Sequence, residues 1–153
     1  MPEIGETAAI LLVEDNEDHA FLIQKALRGY GLINEIHLAP SGEEALDYLF
    51  RRDKYADPKD SPRPGLILLD IRLPGMDGLE VLKTIKQNES LKTIPVCMLT
   101  TSAQQSDLEA AYANGANSYI QKPVDFNKFV EVVKSLGLYW SMTNVPPPRA
   151  GGV

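Results

Sequence analysis

The sequence predicts an α/β fold, an open parallel sheet doubly wound by helices on both faces. Three observations lead there. Five strand-like runs alternate with five helix-like segments, a (βα)5 order that favours a parallel sheet with crossover helices. Two of the strongest runs, residues 8–13 (AAILLV) and 95–99 (PVCML), are apolar without alternation, as in strands covered on both sides. A chain of 153 residues, 44% hydrophobic and 24% charged, suits one domain with a proper core.

Taken in order, the first strand covers residues 8–13. After Asn16, the positions Ala20, Ile23, Leu27 and Tyr30 share one helical face, with Gly29 and Gly31 as stops. A weaker strand covers 35–39 (EIHLA). Ser41 and Glu44 form a capping box ahead of Ala45, Leu46, Leu49 and Phe50. Residues 51–64 (RRDKYADPKDSPRP) make a polar, Pro-rich connection longer than usual for this kind of fold. The strand 65–69 (GLILL) follows, then a helix opened by Asp77 and Glu80 with Leu79, Leu82 and Ile85 inward. After strand 95–99, Ser102 with Gln105 caps a helix carrying Leu108, Ala111 and Tyr112, and Asn114-Gly115 ends it. The last strand is 118–121 (SYIQ). Asp125 caps the last helix, whose apolar face is Phe129, Val132, Val133 and Leu136, with Gly137 behind it. The domain therefore spans 8–137. The tail 138–153 opens with Leu-Tyr-Trp and closes in prolines and glycines, and is expected to be ordered at its start and frayed at its end. No internal repeat and no sequence for an output domain is evident.

The formal net charge is −6 and no Lys/Arg cluster offsets it, which argues against a nucleic-acid partner. No apolar run approaches a membrane span, and the first one lacks the basic flank of a signal peptide, so a cytoplasmic protein is expected. The single cysteine, Cys97, excludes an internal disulfide and reads as a small core residue.

In an open parallel sheet, ligands bind beyond the carboxyl ends of the strands. There this chain places Glu14-Asp15, Asp70, Thr100 and Lys122-Pro123. Singly, each has an ordinary explanation: solvated loop acids, a turn residue, a helix cap, a surface charge. Together they bring three carboxylates, a hydroxyl and an ammonium to one edge. Carboxylates so placed repel one another, and a hard divalent cation such as Mg²⁺ relieves the conflict. With Mg²⁺ on one side and Lys122 on the other, Asp70 can act as a nucleophile toward a phosphoryl group, and Thr100 can hydrogen-bond a phosphoryl oxygen.

The motifs Leu12-Val13-Glu14-Asp15-Asn16, Leu68-Leu69-Asp70-Ile71-Arg72-Leu73-Pro74-Gly75-Met76-Asp77-Gly78, Leu99-Thr100-Thr101-Ser102 and Tyr119-Ile120-Gln121-Lys122-Pro123 resemble those of response-regulator receiver domains, the partners of histidine kinases in two-component signalling. The resemblance implies a flavodoxin-like (CheY-like) strand order, 2-1-3-4-5. It implies Asp70 as phosphoacceptor, with Mg²⁺ held by Asp15, Asp70, the backbone carbonyl of Arg72 and, through water, Glu14. It makes Thr100 and Lys122 phosphoryl-binding, pairs Thr100 with Tyr119 as a switch, and implies a cis Lys122–Pro123 bond. Arg72 and Ser102 would flank the path of the hydrolytic water, and Thr101 would narrow it, which implies slow self-dephosphorylation. The 51–64 connection and the Leu-Tyr-Trp tail are similar to the small receivers that pair with cyanobacterial and bacterial phytochromes. That implies a phytochrome-type kinase as partner, and a homodimer through the face of the fourth helix, fifth strand and last helix, helped by Tyr139 and Trp140.

Other functions on this fold class fit less well. A flavin or nucleotide binder needs a phosphate-cradling loop after the first strand, where this chain has Glu14-Asp15-Asn16-Glu17-Asp18. A dehalogenase-like phosphatase wants an Asp-x-Asp after its first strand, but Asp70-Ile71-Arg72 has an arginine at the second acid's place. The remaining alternative is a pseudo-receiver that works without phosphorylation as an interaction module. His19 and His37 read as core or surface residues. Catalysis beyond the phosphoryl switch is not expected.

Overall fold

The structure is a computed structural model that describes residues 9–29, 35–122, 127 and 131. Expectations for Ala8, Tyr30, Gly31, the Lys122–Pro123 bond, the Asp125-capped helix, Tyr139, Trp140 and the 138–153 tail lie outside the described residues. Five parallel strands form one sheet: β1 (Ala9–Val13), β2 (Ile36–Ala39), β3 (Pro64–Leu69), β4 (Val96–Thr100) and β5 (Ser118–Gln121). Their order is β2-β1-β3-β4-β5, as implied by the resemblance. Val13 pairs with Ala39 and Leu69, Leu69 with Met98, and Thr100 with Gln121, so the strands end nearly level.

Four helices lie between them: α1 (Glu17–Gly29), α2 (Gly42–Phe50), α3 (Gly78–Gln87) and α4 (Gln105–Ala113). Strand side chains alternate between two cores. Leu11, Val13, Ile67, Leu69, Val96 and Met98 pack with α2, α3 and Ala111 of α4. Ile10, Leu12, Leu66, Leu68, Cys97 and Leu99 pack with Ala20, Ile23 and Leu27 of α1. Both faces of β1, β3 and β4 are thus covered, which is why their sequences carry no polar alternation. Cys97 is buried in β4 as expected, and burial pushes its thiol up to about 12. Among the described residues no helix is long and apolar enough to cross a membrane.

The helix starts follow local chemistry, with two corrections. Asn16 Oδ1 accepts from His19 N (3.0 Å) and caps α1. At α3 the capping box is complete: Asp77 Oδ1 accepts from Leu79 N, and Glu80 returns to Asp77 N. At α2 the expected box is half made. Ser41 Oγ accepts from Glu44 N, but the Glu44 carboxylate goes to Tyr55 Oη (2.5 Å) and Lys54 Nζ (2.9 Å). At α4 the expected Ser102 cap is wrong: the N-cap is Gln104, without a side-chain bond, because Ser102 Oγ donates to Asp107. Phe50 and Tyr112, expected inside, are exposed; Tyr48 and Val81 take buried places instead.

The 51–64 connection is not a loose loop. Two single-turn 3₁₀ segments, Asp53–Tyr55 and Pro58–Asp60, fold it against α2. Tyr48 Oη donates to Pro62 O (2.6 Å), and the buried Ser61 hydroxyl donates to Tyr55 O (2.9 Å).

Candidate functional site

The site forms where the ladder continues one residue beyond each strand. Asp70 N donates to Val13 O (3.2 Å), Glu14 N to Ala39 O (3.0 Å) and Lys122 N to Thr100 O (2.7 Å). These bonds fix where the acids and the lysine leave the sheet. Gly78, at the start of α3, lets that helix press on the Asp70 backbone: a Cβ there would lie 2.0 Å from Asp70 O.

Glu14, Asp15 and Asp70 each offer a carboxylate oxygen within 4.8 Å of the others, with Glu14 and Asp70 buried and Asp15 exposed. The buried Lys122 ammonium donates to Asp70 Oδ2 (2.9 Å) and to Glu14 Oε1. Asp70 Oδ1 accepts from Arg72 N (3.1 Å), and Glu14 Oε2 from Asn16 N (3.1 Å). Three carboxylates against one ammonium leave a formal charge of −2 in a cluster of hard oxygen donors. That donor set fits Mg²⁺ or a similar divalent cation, which favours oxygen ligands and compensates such charge.

His19 is the residue sequence reasoning misplaced. Its Nδ1 lies 3.1 Å from Lys122 Nζ and 3.9 Å from Glu14 Oε2. An ammonium has no acceptor, so a hydrogen bond between the two has Nδ1 as its acceptor. The partners lie 103 residues apart, so no local pattern announces the contact. His37 sits on β2 beside the Tyr48 ring, at 5.4 Å between centroids, with its Nε2 3.5 Å from Glu35 Oε1.

A second group of residues adjoins the first. Thr100 is fully buried, and its Oγ1 accepts from Ser102 N (3.3 Å). Tyr119 is half-buried on β5 and donates from Oη to Ser102 O (2.9 Å); burial pushes its phenol up. Asp107, buried in the first turn of α4, takes both Arg72 Nη2 (2.6 Å) and Ser102 Oγ (2.5 Å) on Oδ2. Nothing in the sequence singles out Asp107, because an acid in a helix's first turn is adequately explained by the helix dipole. Glu14, Asp15, Asp70 and Lys122 therefore converge directly, with Arg72 N on Asp70, whereas Thr100 and Tyr119 are linked to Arg72 through Ser102 and Asp107.

Comparison with known proteins gives a consistent picture. Residues 10–134 match the response regulator receiver domain family. The probable methanogenesis regulatory protein FilR2 of Methanothrix harundinacea is 43% identical over 148 residues, covering 97% of this chain and 93% of that protein. Response regulator Rcp1 of Synechocystis is 38% identical over 145 residues, 95% of this chain and 97% of its own length. The crystal structure of its Mn²⁺-bound form superposes with a TM-score of 0.73, covering 92% of this chain and 99% of that one. The bacteriophytochrome response regulator AtBRR superposes with a TM-score of 0.80 at 43% identity, covering 92% of this chain and 99% of that one. With the five-stranded order, the family match over most of the chain and relatives of this similarity, the chain belongs to the response regulator receiver domain family of two-component signalling.

Proposed function

We propose that the chain is a phosphoacceptor switch in which Asp70 takes a phosphoryl group from a histidine kinase. The observation that carries this reading is the buried Lys122 ammonium shared between Asp70 and Glu14, beside Asp15. In the transfer, an Asp70 oxygen forms a bond to phosphorus as the donor's N–P bond breaks, and the electron pair leaves with the imidazole nitrogen. Carboxylate and phosphoryl oxygens are both anionic, so their approach has to be screened. Lys122 supplies one positive charge from a position with little water around it. Asp15, Asp70, the Arg72 carbonyl and, through water, Glu14 would hold Mg²⁺, which would supply further neutralisation of charge. Thr100 has its oxygen held by Ser102 N, which leaves its proton to donate to a phosphoryl oxygen. Tyr119 reads the change with it, because its hydroxyl hangs on Ser102 O in the same loop.

AtBRR is a bacteriophytochrome response regulator, which supports a phytochrome-type kinase as the donor, whereas FilR2, of equal identity, is a probable methanogenesis regulatory protein. The setting is the cytoplasm. A homodimer would use α4 and β5 with the last helix, where Tyr112 already stands exposed. Slow loss of the phosphoryl group belongs to the same reading, with Arg72, Thr101 and Ser102 around the approach to Asp70. The chain carries no other catalysis in this reading.

The test uses wild type and Asp70→Asn with Mg²⁺ and acetyl phosphate, followed by intact mass. Wild type gains one phosphoryl group, the variant gains none, and chelation of Mg²⁺ stops labelling. Equal labelling of both proteins would overturn the assignment, and no labelling of either would favour the pseudo-receiver.

A further inference from the structure

We propose that Asp107 is a positioning residue, a clasp that ties the phosphoacceptor site to the start of α4 and holds the site in its unmodified arrangement. The inference rests on the reading of Asp70 as phosphoacceptor and deepens it.

The clasp is one carboxylate oxygen with two charge-assisted partners. Oδ2 of Asp107 accepts from Arg72 Nη2 at 2.6 Å and from Ser102 Oγ at 2.5 Å. The carboxylate is 12% exposed, so it depends on these partners for its solvation. Each partner in turn holds an oxygen of the site through its backbone. Arg72 N donates to Asp70 Oδ1, and Ser102 N donates to Thr100 Oγ1. Ser102 O also accepts the Tyr119 hydroxyl. One acid on α4 thus fixes the two loops that leave β3 and β4, and with them the orientation of Asp70, Thr100 and Tyr119.

Modification of Asp70 disturbs this arrangement from the other end. Asp70 Oδ1 is held by Arg72 N and Oδ2 by Lys122. A phosphoryl group bonded to either oxygen takes an acceptor position from one of these donors and adds oxygens that compete for both. Rearranging around it means moving the Arg72 or the Ser102 loop, each of which Asp107 restrains. A contact made in only one of two arrangements shifts the equilibrium toward that arrangement. Asp107 therefore stabilises the unmodified form, and by linkage a phosphoryl mimic at Asp70 loosens the start of α4.

The test measures beryllofluoride affinity at saturating Mg²⁺ for wild type, Asp107→Asn and Ser102→Ala, alongside amide exchange in α4. Asp107→Asn keeps the shape and removes the charge, and is expected to bind about fivefold tighter, the order expected when a charge-assisted bond unique to one state is weakened. Ser102→Ala removes one arm and shifts affinity the same way by less. In wild type, beryllofluoride speeds exchange at Asp107 and Leu108; in Asp107→Asn these amides exchange fast already. Unchanged or weaker binding by Asp107→Asn would overturn the proposal, and a damaged fold could not mimic tighter binding. Failure of wild type to bind beryllofluoride would instead remove the phosphoacceptor reading itself.

Discussion

Glu44 sits at the first turn of α2, where its carboxylate accepts from Tyr55 Oη at 2.5 Å and pairs with Lys54 at 2.9 Å. The Tyr55 hydrogen bond, with help from Lys54, holds the Glu44 carboxyl below its ordinary value of 4.5. A carboxyl lowered in the folded state contributes stability that is present above its unfolded value and lost as pH falls through the folded one. Tyr55→Phe removes the main cause of the lowering. It is expected to cost about 1 kcal/mol at neutral pH, a discounted value for a half-exposed bond to a charged acceptor. Across the carboxylate range the gap between the two proteins should close, as read from urea midpoints at stepped pH. A constant gap would place the Tyr55 contribution in packing. His19 makes a different point at this scale: a residue can stand against the site's lysine and show nothing of it in sequence, because the contact is made across the fold.

Among the elements, the strands were the most legible. β1, β3 and β4 lack alternation because α1 covers one face and α2, α3 and α4 the other, and their terminal residues carry the site's chemistry. The acids, Thr100 and Lys122 could be placed from sequence because a strand's end is set by the same backbone ladder that sets its neighbours'. What escaped notice were side chains whose partners lie on another element. Ser102 has the form of a cap, yet its hydroxyl goes to Asp107; Glu44 has the form of a capping-box acid, yet Tyr55 and Lys54 take it. Phe50 and Tyr48 are two positions apart on a short helix, and Tyr48 is the one covered, by His37 of β2 and by Tyr55 of the 51–64 connection. That connection is held by Tyr48 Oη on Pro62 O and by the Ser61 hydroxyl on Tyr55 O. Tyr48→Phe leaves Pro62 O without its donor and is expected to cost about 1 kcal/mol. Amide exchange should rise within the connection and leave α3 and β4 unchanged. An increase spread over the sheet would show that the connection supports the core.

For the molecule as a whole, the site is also a demand on stability. Lys122 reaches back 108 residues to Glu14 and 52 to Asp70, so the charges meet only when β1, β3 and β5 are in one sheet. Removing one partner of a buried ionic group is strongly destabilising, because it strands the remaining charge. Lys122→Ala is therefore expected to lower stability by about 3 kcal/mol without divalent metal. It also changes the formal charge of the cluster from −2 to −3, so Mg²⁺ should stabilise the variant more than wild type. At a free Mg²⁺ concentration about a hundredfold above Kd, such binding is worth about 2.7 kcal/mol. Thermal unfolding with Mg²⁺ and with EDTA tests this, and an equal Mg²⁺ effect in both proteins would separate Lys122 from the acidic cluster.

Cys97, buried in β4 between the two strands that carry Asp70 and Lys122, gives the sheet a reporter of its own. Its thiol, pushed up to about 12, offers almost no thiolate to a reagent while the sheet is closed. Alkylation therefore waits for the centre of the sheet to open, and its rate counts openings rather than surface collisions. Because this is the chain's single cysteine, one mass shift reads that clock without any engineered label. The same measurement works in a crude extract, where a ligand that steadies the strand ends would slow it.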